Sequence, residues 1–123
     1  MNILEKLTLL EKESDDFGFK WSHYDQIINQ IKNECLEIQE VIEEPTMSHH
    51  LQEEIGDLIH ATFSLCLFCK FPAEETLNIS LKKFEKRLNE VKRITLEKGH
   101  ENLQGQSFKE LMAVWDQAKE RVG

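Results

Sequence analysis

The 123-residue sequence predicts an all-α fold, an antiparallel bundle of about four to five helices completed by oligomerisation. Three observations lead there. Apolar residues recur at steps of three and four nearly throughout, the period of a helix with one buried face. No stretch alternates apolar and polar residues as a half-buried strand would. The two prolines and five glycines fall mostly at expected breaks, so little interrupts the helices themselves.

The first helix is expected over about residues 2–14, before a turn at "SDDFGFKW". A second runs from about Ser22 to Glu44, with Ile27, Ile28, Ile31, Cys35, Ile38 and Ile42 on its inner face. Pro45 in "EEPTMSHH" ends it, because proline lacks an N–H and restricts the residue before it. A third helix is expected from about His49 to Cys69. In "KFPAEE", Pro72 suits a first turn and the acids after it favour a helix N-terminus. The fourth helix, about residues 73–98, carries Leu77, Leu81, Phe84, Leu88 and Val91 on one stripe. "KGHENLQGQ" reads as a loop. "SFKE" is a capping box that opens the last helix at Ser107, whose apolar residues are Phe108, Leu111, Met112 and Trp115.

The connections are short, so neighbouring helices should be antiparallel. From Leu58 to Phe68 the third helix is apolar on nearly all sides, and such a helix must be covered all round. The chain has few helices to do it, which points to a homodimer or homotetramer with this helix inside.

The length fits one domain over residues 1–123. With 40% hydrophobic and 31% charged residues the chain is globular rather than disordered. A net charge of -8 gives no basic face for nucleic acid. The apolar run Leu58–Cys69 falls short of the roughly 20 residues a membrane helix needs. The opening "MNILEKLTLLEKESDDF" has no basic start, apolar core or cleavage site of a secretion signal. Cys35, Cys66 and Cys69 are an odd set within apolar patterns, read as reduced thiols of a cytoplasmic protein. "CLFC" lacks a second pair for structural zinc, so its cysteines are expected as two buried thiols.

The chemistry lies in two carboxylate pairs. "NECLEIQE" supplies Glu34 and Glu37, and "EEIGDLIH" supplies Glu54 and Asp57. Both pairs are spaced i, i+3, which stacks the two side chains on one side of a helix, here at the edge of the apolar stripe. The pairs are nearly equidistant from the turn expected near Thr46, so a helical hairpin would set them opposite each other. Two unit charges about 4 Å apart repel by roughly 4 kcal/mol at an effective dielectric near 20. Four inward carboxylates therefore need a counter-charge, and all-oxygen ligands suit Mg²⁺, with Mn²⁺ as a substitute. A solvated acidic face competes with this reading on pattern alone. Glu40, one turn after Glu37, ranks below the quartet as a further ligand. Glu53 is rotated about 100° from Glu54 and is expected in solvent. His49 and His50 are expected at the surface, and His60 as a satisfied interior histidine, with a place beside the metal site as the alternative.

In this order and spacing the residues resemble the MazG-like nucleoside triphosphate pyrophosphohydrolases, an all-α superfamily, from "FGFKW" to "AVWDQAK". The Glu-x-x-Glu and Glu-x-x-Asp strings are similar to that family's metal signature. "KKFEKR" resembles its Lys-Phe-Glu-Arg-Arg segment, and "VWDQAK" its final Trp-x-x-x-Lys element. The resemblance implies metal ligation by Glu34, Glu37, Glu54 and Asp57, and a catalytic base among Glu34 and Glu37. It implies phosphate contacts from Lys83 and Arg87, and substrate contacts from Trp115 and Lys119. The implied reaction cleaves a nucleoside triphosphate between the α- and β-phosphates to monophosphate and pyrophosphate, in nucleotide-pool housecleaning. Asn33 and Leu81 depart from the family pattern, where glutamate and asparagine are usual, and the loop at 100–106 is longer.

Two other readings compete. "DLIH" places Asp57 and His60 at a spacing used in di-iron bundles, but those want two Glu-x-x-His motifs and two more glutamates. A non-enzymatic helical interaction module with solvated acids is the third.

Overall fold

The computed structural model describes residues 1–44 and 48–123, with the backbone alone at Ser48. The described residues form five helices and no strand: α1 Ile3–Phe17, α2 Tyr24–Val41, α3 Ser48–Phe68, α4 Ala73–Glu97 and α5 Phe108–Val122. The all-α class expected from apolar spacing is the one observed. Pro45 and Thr46, expected to stop α2 and to centre its hairpin turn, lie outside the described residues.

Local chemistry sets the ends. Asn2 caps α1 by accepting from the Glu5 N–H. The helix runs three residues past the expected end, because Gly18 takes a left-handed φ of 99° and its N–H and that of Phe19 close on Asp15 and Ser14 carbonyls. α2 begins at Tyr24, two residues after the expected Ser22, and its cap is His23: the ring accepts from the Asp25 N–H, and Gln26 reaches back to complete a capping box. Histidine is an uncommon N-cap, which is why residue type did not reveal it. At its other end α2 stops at Val41, three residues before Glu44. Lys70 ends α3 at a positive φ of 70°, the Phe71 N–H bonding back to the Cys66 carbonyl. Ser107 caps α5, its hydroxyl accepting from the Glu110 N–H, but only this half of the expected capping box forms.

The chain divides into two compact units, Met1–Thr76 and Leu77–Gly123. In the first, α2 and α3 pack along each other as a hairpin and α1 lies against α3. Ile27 of α2 and Ala61 of α3 are buried there. Ile28, Ile31 and Ile38 are half-buried, whereas Cys35 and Ile42, expected inside, are exposed. In the second unit Ile94 packs with Val114 and Ala118, flanked by Val91 and Leu103. Glu90 is buried in this unit, held by Arg93 and Arg121. Arg121 also makes two bonds to Glu97, at 2.9 and 3.1 Å. Those carboxylates raise the Arg121 pKa, and the guanidinium lowers that of Glu97.

The stretch expected to be apolar on all sides is half-buried at Leu58, Phe63, Leu65, Leu67 and Phe68, while Ile59 is 53% exposed. Ile55 is also exposed. The "CLFC" cysteines are not two buried thiols: Cys66 is partly buried and Cys69 exposed, and both are free. Cys69 lies past the last residue of α3, so the apolar period no longer governs it. Among the described residues, no helix is long and apolar enough to cross a membrane.

Candidate functional site

The α2–α3 hairpin brings the two carboxylate pairs together. One carboxylate oxygen from each of Glu34, Glu54 and Asp57 lies within 4.8 Å of the others. Glu37 falls outside that set, yet its carboxylate is the largest influence on Glu54. It raises the Glu54 pKa, with burial and Glu34 acting in the same direction and His50 opposing them. Glu34 is buried, Glu54 partly so, and Glu37 and Asp57 are exposed. The site is therefore the rim of the hairpin, closed on the Glu34 side and open on the Asp57 side.

Two residues that sequence reasoning passed over hold the acids. Gln30 donates to Glu34 Oε1 at 2.7 Å, and His50 Nε2–H donates to Glu54 Oε1 at 2.9 Å. Each stands one helical turn before its acid, and that i, i+4 spacing was the available signal. The second oxygens, Glu34 Oε2 and Glu54 Oε2, are buried and accept no hydrogen bond from the described residues. Buried carboxylate oxygens without donors are costly, and a hard divalent cation is the partner that carboxylates in this number satisfy. The donor set fits Mg²⁺ or Mn²⁺.

The other expectations divide. Glu53 is in solvent, beside His49. Glu40 is exposed on α2. His60 is not interior: its side chain is 60% exposed, and Nε2–H donates to Glu11 of α1 at 2.9 Å. The same Glu11 oxygen accepts from Ser64 at 2.6 Å. No spacing rule links Glu11 to residues some fifty positions away, so no sequence pattern marks this contact. His60 thus bonds to Glu11 and is not among the three converging acids, although it lines a cavity with Glu34 and Asp57, and the second Glu-x-x-His copy that the di-iron reading wants is lacking.

A cavity of about 700 Å³ lies in the first unit, with Glu34 and Asp57 in its wall and Glu11, His60 and Ser64 beside them. Phe19, Lys20 and Trp21 from the segment between α1 and α2 line it too. Trp21, like Gln30, His50 and Glu11, was missed by sequence reasoning.

Lys83, Arg87, Trp115 and Lys119 all belong to the second unit. Arg87 lies over the Trp115 ring at 5.6 Å from its centre and donates from Nε to the Gly123 carbonyl at 2.7 Å. Phe84 flanks the same indole at 5.9 Å. Lys119 stands 3.6 Å from Asp116. Lys83 is exposed.

Residues 22–92, which hold all four acids together with Lys83 and Arg87, match the family model described as the MazG nucleotide pyrophosphohydrolase domain. The chain belongs to the MazG family. The chain is 30% identical over 111 residues to the nucleoside triphosphate pyrophosphohydrolase of Escherichia coli strain K12, and equally to that of strain O157:H7. That alignment covers 89% of this chain and 42% of each relative. Over 72 residues it is 32% identical to the uncharacterized protein YabN of Bacillus subtilis strain 168, covering 58% of this chain and 14% of that protein. The MazG chain thus spans less than half the length of the curated relatives it matches.

Proposed function

We propose that this MazG chain, acting as one domain, hydrolyses nucleoside triphosphates between the α- and β-phosphates, releasing a nucleoside monophosphate and pyrophosphate. The observation that carries the reading is the convergence of Glu34, Glu54 and Asp57 within 4.8 Å, two of them with a buried oxygen lacking a donor. Glu34, Glu54 and Asp57 would hold Mg²⁺ or Mn²⁺, with Glu37 at the edge of the set. When bound, such an ion neutralises phosphate oxygens and makes a nearby water more acidic.

The chain's own residues supply the rest. Gln30 and His50 hold one oxygen of each inner carboxylate, which would leave the other free to hold the ion. Glu37 is exposed and outside the tight set, which suits it better than Glu34 to take a proton from the attacking water. The family resemblance assigns phosphate contacts to Lys83 and Arg87 and substrate contacts to Trp115 and Lys119, and phosphoryl chemistry calls for such fixed positive charge. A homodimer or homotetramer covering the exposed Ile55 and Ile59 would complete the α3 surface. Housecleaning of the nucleotide pool in the cytoplasm is the role that such an activity serves.

Product analysis tests this. Incubation of a nucleoside triphosphate panel with Mg²⁺ should release pyrophosphate and monophosphate, and Glu37→Gln and Asp57→Asn should each lose at least about a hundredfold in kcat. Diphosphate with orthophosphate would refute the position of the cut. Undiminished activity in both variants would remove these acids from the site.

A further inference from the structure

We propose that Glu11 reads the nucleobase, and that it selects bases carrying an amino group over uracil and thymine. The inference deepens the proposed hydrolysis, since it concerns the cavity beside the same acids. That cavity, about 700 Å³, falls in the range of roughly 300–1,000 Å³ usual for small-molecule sites. Glu34 and Asp57 mark the end where phosphates would lie. Glu11 reaches the cavity from a different helix, α1, whose sequence bears none of the metal-binding strings.

Glu11 is held rather than free. Its side chain is 20% exposed. Ser64, itself buried to 6% exposure, donates to Oε1 at 2.6 Å, and His60 Nε2–H donates to the same oxygen at 2.9 Å. Both anchors stand on α3, one and two turns beyond Asp57, so the element that positions the acids also positions Glu11. Oε2 receives no hydrogen bond from the described residues. An ionised carboxylate accepts and never donates, so this oxygen asks for an N–H. Cytosine and adenine offer an exocyclic amino group. Uracil and thymine carry a carbonyl at the position of cytosine's amino group, whose lone pairs face those of the carboxylate, and their N3–H, one ring position away, can reach it only if the base shifts. A pinned acceptor discriminates well, because a substrate without the donor leaves it unpaired. Phe19 and Trp21 line the same cavity and give apolar ring faces for the flat sides of a base, which carry no such selectivity.

The test is kcat/KM for CTP, ATP and UTP with Mg²⁺, in the wild type and in Glu11→Gln. Glutamine keeps the shape. Its carbonyl can still accept from Ser64 and His60, while its amide turns a donor towards the cavity. The expected result is a wild-type preference for CTP and ATP over UTP that falls by about tenfold or more in Glu11→Gln. Ser64→Ala, which frees Glu11 from one anchor, should reduce the preference severalfold in the same direction and serves should Glu11→Gln fold poorly. An equal loss for all three substrates would mean that Glu11 only ties α1 to α3, and would overturn the proposal. So would an unchanged ratio, with hydrolysis itself left standing. Should the wild type cleave none of the three, calorimetric titration with CMP and UMP decides. A preference for CMP that Glu11→Gln abolishes would sustain base reading while the hydrolysis fails, and binding without discrimination would overturn it.

Discussion

Glu34 and Glu54, on facing helices of one hairpin, each bury a carboxylate oxygen that accepts no hydrogen bond from the described residues. The other oxygen of each is fixed by a residue one turn earlier, Gln30 or His50. Half of each carboxylate is thus committed to its own helix and half to the space between the helices. Such an arrangement costs stability unless a cation shares it.

Divalent metal should therefore stabilise the protein. Saturating Mg²⁺, at about a hundred times its dissociation constant, should add roughly 2.7 kcal/mol, read as a rise in Tm. Glu34→Gln or Glu54→Gln should abolish most of that rise. A thermal melt with and without millimolar Mg²⁺, repeated with EDTA, measures it. An unchanged wild-type Tm would favour the interaction-module reading, in which the acids are only solvated.

The raised pKa of Glu54 sets a pH dependence in the metal-free protein, and its sign follows from linkage. The folded state holds the Glu54 proton more tightly than the unfolded state does, chiefly because of Glu37. Stability from this group is therefore lost as pH rises from the ordinary glutamate value of 4.5 through the folded value, and the penalty is complete above it. In EDTA at neutral pH, Glu54→Gln should melt above the wild type, and the gap should close as pH falls below 4.5. Melts of both proteins across that range read the difference directly. Subtracting the variant removes the opposite contribution of Glu97, whose pKa is lowered by Arg121.

Gln30→Ala should weaken metal binding without touching a ligand. The Gln30–Glu34 hydrogen bond, 2.7 Å long, is lost, and Glu34 is freed to turn away. Partners of this kind are worth about 10–100-fold in metal affinity. Titration calorimetry with Mn²⁺ should show a loss of that size, while far-UV circular dichroism keeps the wild-type helicity.

Much of the site was legible because helical period and chain reversal are local rules. Stacking at i, i+3 put Glu34 beside Glu37 and Glu54 beside Asp57, and a short connection placed the pairs opposite each other. The exposure of Cys35 and Ile42 was not legible, since the 3.6-residue period marks an apolar stripe without saying which of its residues finds a cover. The start of α2 at Tyr24, capped by His23, was hidden because ring nitrogens rarely cap. Glu11 was out of reach in a deeper sense: its partners Ser64 and His60 lie on another helix, and no pattern within α1 sets an acid that anchors a cavity apart from one in solvent.

Gly56 offers a last test, because it stands within the site's own string yet a side chain there would meet no neighbour. The natural expectation for a glycine between Glu54 and Asp57 is that it admits a facing helix or a phosphate. A Cβ built there meets no atom within 4 Å, and the residue lies inside α3 without a left-handed φ. Its absent side chain therefore serves no contact of the folded chain, and it weakens the helix by the usual glycine penalty. Gly56→Ala should stabilise the monomer by about 0.8–1 kcal/mol, a rise of a few degrees in Tm. Should the variant be stable but lose activity or change its sedimentation, the space above Gly56 is taken up by substrate or by a second copy. Equal activity and assembly at higher Tm would show the glycine to be dispensable to both.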